Sequence, residues 1–333
     1  MSITSLGDLA QAFSLRRSGA EAKGQIQKLS TELTTGIAQD LAAHLQGNLS
    51  PIAGIETSLQ RLQGFHYVTT DMSLTASVMQ TVLSTVEVNA SDLSGTLLAA
   101  ASSFSEDRVA AVAEDSAQRL DTVLNALNTR FGDRTVFAGV ALNQPAVVSS
   151  EELLDLLGPV VMGATSAQEA ETLVSNWFAD PAGFATLAYR GSRPLDGVLV
   201  APGEDARLDV TALDPALLET LSAMAMPALM TRGLLAGQAI GQSDLARRAG
   251  ERLLEGATGR AHLAARLGTT EAQLDAAATR NSSETSALEI ARAALIGVDS
   301  FETATRLEAT QTQLETLYAL TARMQRLNLV DYL

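Results

Sequence analysis

Residues 72–97 read MSLTASVMQTVLSTVEVNASDLSGTL. Within them Met72, Ala76, Met79, Leu83, Val86, Ala90, Leu93 and Leu97 stand alternately four and three residues apart. That spacing keeps one apolar stripe on one side of an α-helix for about seven turns, so a long helix packed along its length on a partner is expected here. A second run follows in Ala113, Ala117, Leu120, Leu124, Leu127 and Phe131. Ser103 and Glu106 precede it at capping-box spacing and Gly132 closes it as a helix stop. Helices are predicted near 70–100 and 105–131.

The same rhythm returns near the other end, in Leu263, Leu267, Thr270, Leu274, Ala277, Asn281, Glu284, Leu288, Ala291, Leu295 and Val298. After a slip of phase it resumes as Leu307, Thr310, Leu314, Leu317, Thr321 and Met324. No proline intervenes, so 263–328 is expected as one helix of roughly 100 Å. The N-terminal stretch is weaker. Leu6, Leu9, Phe13 and Ala20 make one partial seam and Ile26, Leu29, Leu33 and Ile37 another, with Arg16 and Lys23 between them.

Six of the eight prolines fall within 145–215, where the periodicity fails. Gly197–Ala201, a Pro202-Gly203 turn and Arg207–Thr211 read as a hairpin, and Asp214 before Pro215 as an N-cap with proline at the first helical position. The expected fold class is mainly α: a long antiparallel helical coiled coil or bundle formed by the N- and C-terminal arms, with a small inserted mixed α/β middle domain. The expected divisions are an assembly arm at 1–50, long core helices at 51–144, the insert at 145–240, and a C-terminal arm at 241–333 that packs on the N-terminal one.

Composition narrows the function. Of 333 residues 46% are hydrophobic but only 4% aromatic, which suits packed helices better than an aromatic-lined pocket. A net charge of −15 opposes sequence-independent binding to nucleic acid or anionic membrane. The absence of Cys excludes disulfides, thiolate catalysis and iron–sulfur clusters. No secretory signal and no apolar stretch long enough to span a membrane is expected. His44, His66 and His262 share no metal-ligand spacing, and phosphate-loop, GxGxxG and GxSxG patterns are missing. The acidic pairs Glu106/Asp107 and Glu114/Asp115 read as solvated helix faces, Trp177 and Phe178 as a core pair, and Arg247, Arg248 and Arg252 as too few to reverse the field. No catalytic, cofactor or metal residue is assigned.

Three stretches carry a resemblance to the flagellin superfamily. LSTELTTGIAQDL (29–41) is similar to its N-terminal LSxxLSTGxRI segment, keeping Leu29, Leu33, Thr35, Gly36 and Ile37. TRFGDRTVFAGVALNQPAV (129–147) resembles the FxGxxxxxxP phrase at which the variable domain of hook-associated members opens. FETATRLEATQTQLETLYALTARMQRLNLVDYL (301–333) resembles their C-terminal helix. The family's SxxDDP-like phrase is replaced by AAHLQGNLSPIAG, and the QANxxPQ-like segment of filament flagellins is missing.

The resemblance implies a non-enzymatic structural protein of the bacterial flagellum: an adaptor at the hook–filament junction, outside the cell and exported without a cleaved signal peptide. Implied partners are copies of itself in a ring, a neighbouring hook-associated protein, flagellin, and an export chaperone on the C-terminal helix. The alternatives are a filament flagellin and a cytoplasmic coiled-coil scaffold. The apolar stripes at the two ends have no evident home in a monomer. Leu6, Leu9, Phe13, Ile26, Leu29 and Leu33 with Leu307, Leu314, Leu317, Tyr318, Met324, Leu327 and Leu333 are therefore the expected assembly interface.

Overall fold

A computed structural model describes residues 6–330 other than 104 and 142, with the side chains of 6–9, 103 and 325–330 also outside the described set. In chain order the elements are α1 (Leu6–Thr35), α2 (Leu41–His44), α3 (Ser50–Ser103), α4 (Glu106–Leu127) and the strands β1 (Arg130–Phe131) and β2 (Arg134–Thr135). Then come α5 (Ser150–Val161), α6 (Ala167–Ala179), α7 (Phe184–Leu187), β3 (Val198–Ala201), β4 (Glu204–Ala206) and α8 (Pro215–Ala228). A 3-10 turn at Leu229–Arg232 leads to α9 (Ala239–Glu255), α10 (Ala257–Ile296) and α11 (Ser300–Val330). The fold is mainly α, with two small antiparallel hairpins. The chain forms two compact units: its two ends, up to Leu62 and from Ser283, make one, and Gln63–Ser282 the other.

In the unit 63–282 the seam of α3 is buried throughout, from Met72 at 7% exposure to Ala76, Ala90, Leu93 and Leu97 at 0%. On α4, Val109, Ala113, Leu120, Val123, Leu124 and Leu127 are buried. Helix α8 is mostly apolar, with the exposed Glu219 as its one charged residue, and Leu217, Leu221, Met224 and Met226 are all buried where it packs on α4, α6 and α9. From Thr220 to Ala228 every residue is buried, as a stretch without a charged face has to be. Its start is as expected: Asp214 Oδ1 accepts from the Ala216 N–H at 3.2 Å, ahead of Pro215. The segment 145–240 has no core of its own. Val147, Leu153, Trp177, Phe184 and Val200 share one cluster with Leu93, Leu124 and Leu263.

Several boundaries differ from the sequence reading, each for a definable reason. Helix α4 starts after Ser105, which makes no side-chain cap bond, while Ser103 is the last residue of α3. It ends at Leu127 and not at Phe131. The Asn128 side chain turns outward from the helix to bond the backbone of Val147 twice, accepting its N–H at 2.9 Å and donating to its carbonyl at 3.0 Å. Phe131 then lies in a tight hairpin whose turn contains Gly132 at φ 62.

The single C-terminal helix expected over 263–328 is two helices. Extended backbone at 296–298 pairs with residues 36–38 instead of continuing the helix: Ala38 N donates to Ile296 O at 2.9 Å and Val298 N to Gly36 O at 3.0 Å. Asp299 Oδ1 then caps α11 through the Glu302 N–H at 2.9 Å. The phase slip after Val298 marks this break.

The Pro202-Gly203 hairpin forms, with Gly203 at φ 74, but its second strand starts directly after the turn, at Glu204 and not Arg207. A bulge between Leu199 and Ala201 adjusts the register. Sequence reading also missed α5 and α6, although each opens on a Ser-x-x-Glu box. Ser149 accepts from the Glu152 N–H and Ser166 from that of Glu169, both at 3.2 Å.

Candidate assembly surface

In the unit made by the chain ends, α1 and α11 pack as an antiparallel pair. The seam expected on α11 faces this contact: Thr303 and Thr310 are buried, and Leu307, Leu314, Leu317, Thr321 and Met324 half-buried. On α1 the facing positions are Leu15, Ala22, Ile26, Leu29 and Glu32. Phe13 points away, 70% exposed, and Leu33 is 36% exposed, so the stripe through Phe13 and Ala20 gives way to one through Leu15 and Ala22. Small residues at 18, 19 and 22 allow that face to approach α11 closely, whereas Lys23 lies to the side with its Nζ 5.6 Å from the centroid of the Tyr318 ring. Ile26, Leu29, Leu307, Leu314, Leu317 and Met324 are thus half-buried within the subunit. Phe13, Leu33 and Tyr318 remain outward. The Leu6, Leu9 and Leu327 side chains and the whole of Leu333 lie outside the described residues.

The LSTELTTGI segment explains how α1 ends. Gly36 adopts φ 69, the left-handed conformation that closes a helix, and its N–H returns to Glu32 O at 2.8 Å. Glu32 is 7% exposed, and its Oε1 accepts the Gln39 N–H at 2.9 Å, which holds the turn. Thr35 Oγ1 accepts from the Ile37 N–H at 3.3 Å. The result is a short extended stretch, the partner of 296–298. The open cleft beside it is lined by Lys28, Asp40, His44 and Arg306, so its charges are of both signs.

Polar clusters in the other unit are spent on structure. Arg247 bonds Asp244 and Glu251, Arg248 bonds Asp244 and Glu171, and Arg252 reaches Ser175, which ties α9 to α6. Burial pushes the Asp244 carboxyl up, but hydrogen bonds from Arg248 and Arg247 outweigh it and hold the group below its ordinary value. A cleft beside the start of α9 is bordered by Thr165, Ile240, Asp244 and Arg247, and its charged members already pair with each other. Trp177, Phe178 and Phe184 form a buried aromatic cluster, with ring centroids 5.0–6.2 Å apart. Asp115 and Arg119 pair at 2.9 Å along α4. The three histidines are exposed and far apart in sequence, and among the described residues no three metal-ligating side chains converge. No helix among them is long and apolar enough to cross a membrane.

Residues 255–333, which include all of α10 and α11, match the family model described as the bacterial flagellin C-terminal helical region. The sequence likeness in this region is to bacterial flagellins. FlgL from Bacillus cereus shares the fold at a TM-score of 0.52 and 13% identity, over 72% of this chain and 98% of that one. A Vibrio parahaemolyticus protein assigned as flagellar hook-associated aligns at a TM-score of 0.47 and 12% identity, over 72% of this chain and 93% of that one. No curated protein matches by sequence. The region of sequence match contains the helix that pairs with α1. Sequence reasoning missed two large apolar side chains that stand out from it, Phe301 at 84% and Ile290 at 71% exposure. They fall off the main seams, and the signal available was their position outside the four-three rhythm.

Proposed function

We propose that this protein is a structural subunit of the bacterial flagellum, an adaptor at the hook–filament junction that self-assembles through its terminal arms. The observation that carries the reading is the antiparallel α1–α11 pair. Its C-terminal member lies within the flagellin-like region, and its outer side presents Phe13, Leu33, Phe301 and Tyr318 to solvent. Apolar side chains in that number on one helical pair favour burial against neighbours, at about 25 cal/mol per Å² removed from water. The partners in this reading are copies of the chain in a ring, a preceding hook-associated protein and the first flagellins. An export chaperone takes the amphipathic helix along 307–327 before the subunit leaves the cell.

Antibody-gold labelling of isolated flagella tests the location. A single band at the hook–filament boundary is expected. Label along the whole filament would make the chain a filament subunit, and label on no flagellar part would make it a cytoplasmic scaffold.

A further inference from the structure

We propose that the turn at residues 36–38 is one side of a conformational switch: while it pairs with 296–298, α10 and α11 stay apart, and when α1 is drawn away they join across 297–299 into one helix. All of these segments belong to the unit made by the chain ends. The break is short, and it is bounded by bonds that a continuous helix would keep. Before it Gly297 N donates to Ala293 O at 2.8 Å, and after it Thr303 N donates to Asp299 O at 2.9 Å, each reaching four residues back. Between them the pattern differs. Val298 N donates to Gly36 O at 3.0 Å, Ala38 N to Ile296 O at 2.9 Å, and Glu302 N to Asp299 Oδ1 at 2.9 Å. The N–H groups of 299–301 meet no backbone acceptor among the described residues.

Joining exchanges the two long-range bonds and the Asp299 cap for helical bonds from the N–H groups of 298–302 to the carbonyls of 294–298. The sequence sets that balance close. Gly297, Val298, Asp299 and Ser300 are all poor helix formers, so the break holds while the turn supplies its bonds. No proline follows Pro227, so nothing bars a helix once the turn has gone. The joined form also accounts for two exposed side chains. Phe301 and Ile290, at 84% and 71% exposure, flank the break, and on one helix they would stand about three turns apart on the same side, to within about 20°. The α10 seam through Leu295 and Val298 would continue at Glu302, whereas the α11 seam passes through Thr303 and Leu307. That offset sets the two stripes about 100° apart. A partner that draws α1 away therefore exchanges a closed helical pair for a single helix whose α11 stripe is uncovered and faces away from the line of the α10 seam.

Amide hydrogen exchange of the full-length chain, followed residue by residue at 299–301, tests the switch, because the sign of the change separates joining from simple loosening. Ala38→Pro deletes the N–H that donates to Ile296 O. It is expected to slow exchange at 299–301 at least threefold as these residues enter a helix, while α1 exchanges faster. Ser300→Pro blocks the joined form alone: proline suits the first position of α11, but inside a joined helix it would lack the bond to Ile296 O and collide with that carbonyl. By itself it should leave the exchange of the parent chain unchanged, and combined with Ala38→Pro it should abolish the slowing. Unchanged or faster exchange at 299–301 in Ala38→Pro would overturn the proposal. So would slowing that survives Ser300→Pro, or protection of these amides already present in the parent chain. If Ala38→Pro does not fold, Glu32→Ala, which removes the acceptor of the Gln39 N–H and so loosens the same turn, decides by the same sign.

Discussion

Single residues hold this fold at a few points where chemistry, not area, decides. Arg260 is 5% exposed, and its guanidinium bonds Glu87 and donates to Leu253 O at 3.0 Å. The Glu87 side chain is 44% exposed. The two ends of the pair are therefore unequal: Arg260→Met strands a buried carbonyl and should cost about 2 kcal/mol, while Glu87→Gln keeps an oxygen that accepts the Arg260 Nε–H and should cost less, about 1 kcal/mol. Thermal melts of the two variants check the order. The glycines divide in the same way. At Gly139, φ is 62 and an added Cβ would lie 2.2 Å from Arg193 O, so Gly139→Ala should cost about 3 kcal/mol or more. At Gly36, φ is 69 but the space is open, and Gly36→Ala should cost only about 1 kcal/mol. Asp244 sets an acid limit. A carboxyl held below its ordinary value of 3.8 stabilises the fold above that pH and loses the contribution as pH falls through its folded value. The urea midpoint should therefore drop on acidification below about pH 4, and less so in Asp244→Asn.

At the scale of elements, legibility followed asymmetry. Helices α3, α4 and the first half of α10 bury one face, which writes itself into the sequence as a four-three rhythm. Helix α8 buries every residue from Thr220 to its end and so has no rhythm, only the Asp214-Pro215 start. Helices α5 and α6 are short and lie among turns that mask their period, although their serine caps were there to be read. The start of α11 depends on Asp299, so Asp299→Ala should cost about 1 kcal/mol, with faster amide exchange confined to the first turn near Glu302. The α1–α11 pair rests on half-buried Leu314 and Leu317, interrupted by buried Thr303 and Thr310. Leu314→Glu should make both terminal helices protease-sensitive and prevent incorporation into flagella. The circular dichroism and melting of the unit 63–282 should stay unchanged.

For the whole molecule, the net charge of −15 opposes association between copies, yet the side chains that the terminal helix pair turns outward, Phe13, Leu33, Phe301 and Tyr318, carry no charge. Long-range repulsion is screened by salt, with a Debye length near 10 Å at about 0.1 M, while apolar contact is not. Self-association of the purified chain should therefore strengthen as ionic strength rises, as sedimentation velocity at low and moderate salt would show; weakening would mean that ion pairs hold the assembly.

The sequence alone determined the class of fold, the long seams and the exclusion of thiol chemistry, because residue type and periodicity are local properties that need no knowledge of neighbours. It also carried the flagellin-like signature of the C-terminal helical region, written in contiguous residues 255–333. Tertiary structure decided where helices stop and which stripes are left for partners. The break between α10 and α11 exists because Gly36 and Ala38 take hydrogen bonds that a continuous helix would keep, and α4 ends where Asn128 finds Val147. The stripe through Leu15 and Ala22, and not that through Phe13, meets α11 for the same reason. Each outcome depends on a partner distant in the chain, and an apolar stripe does not state which partner will cover it.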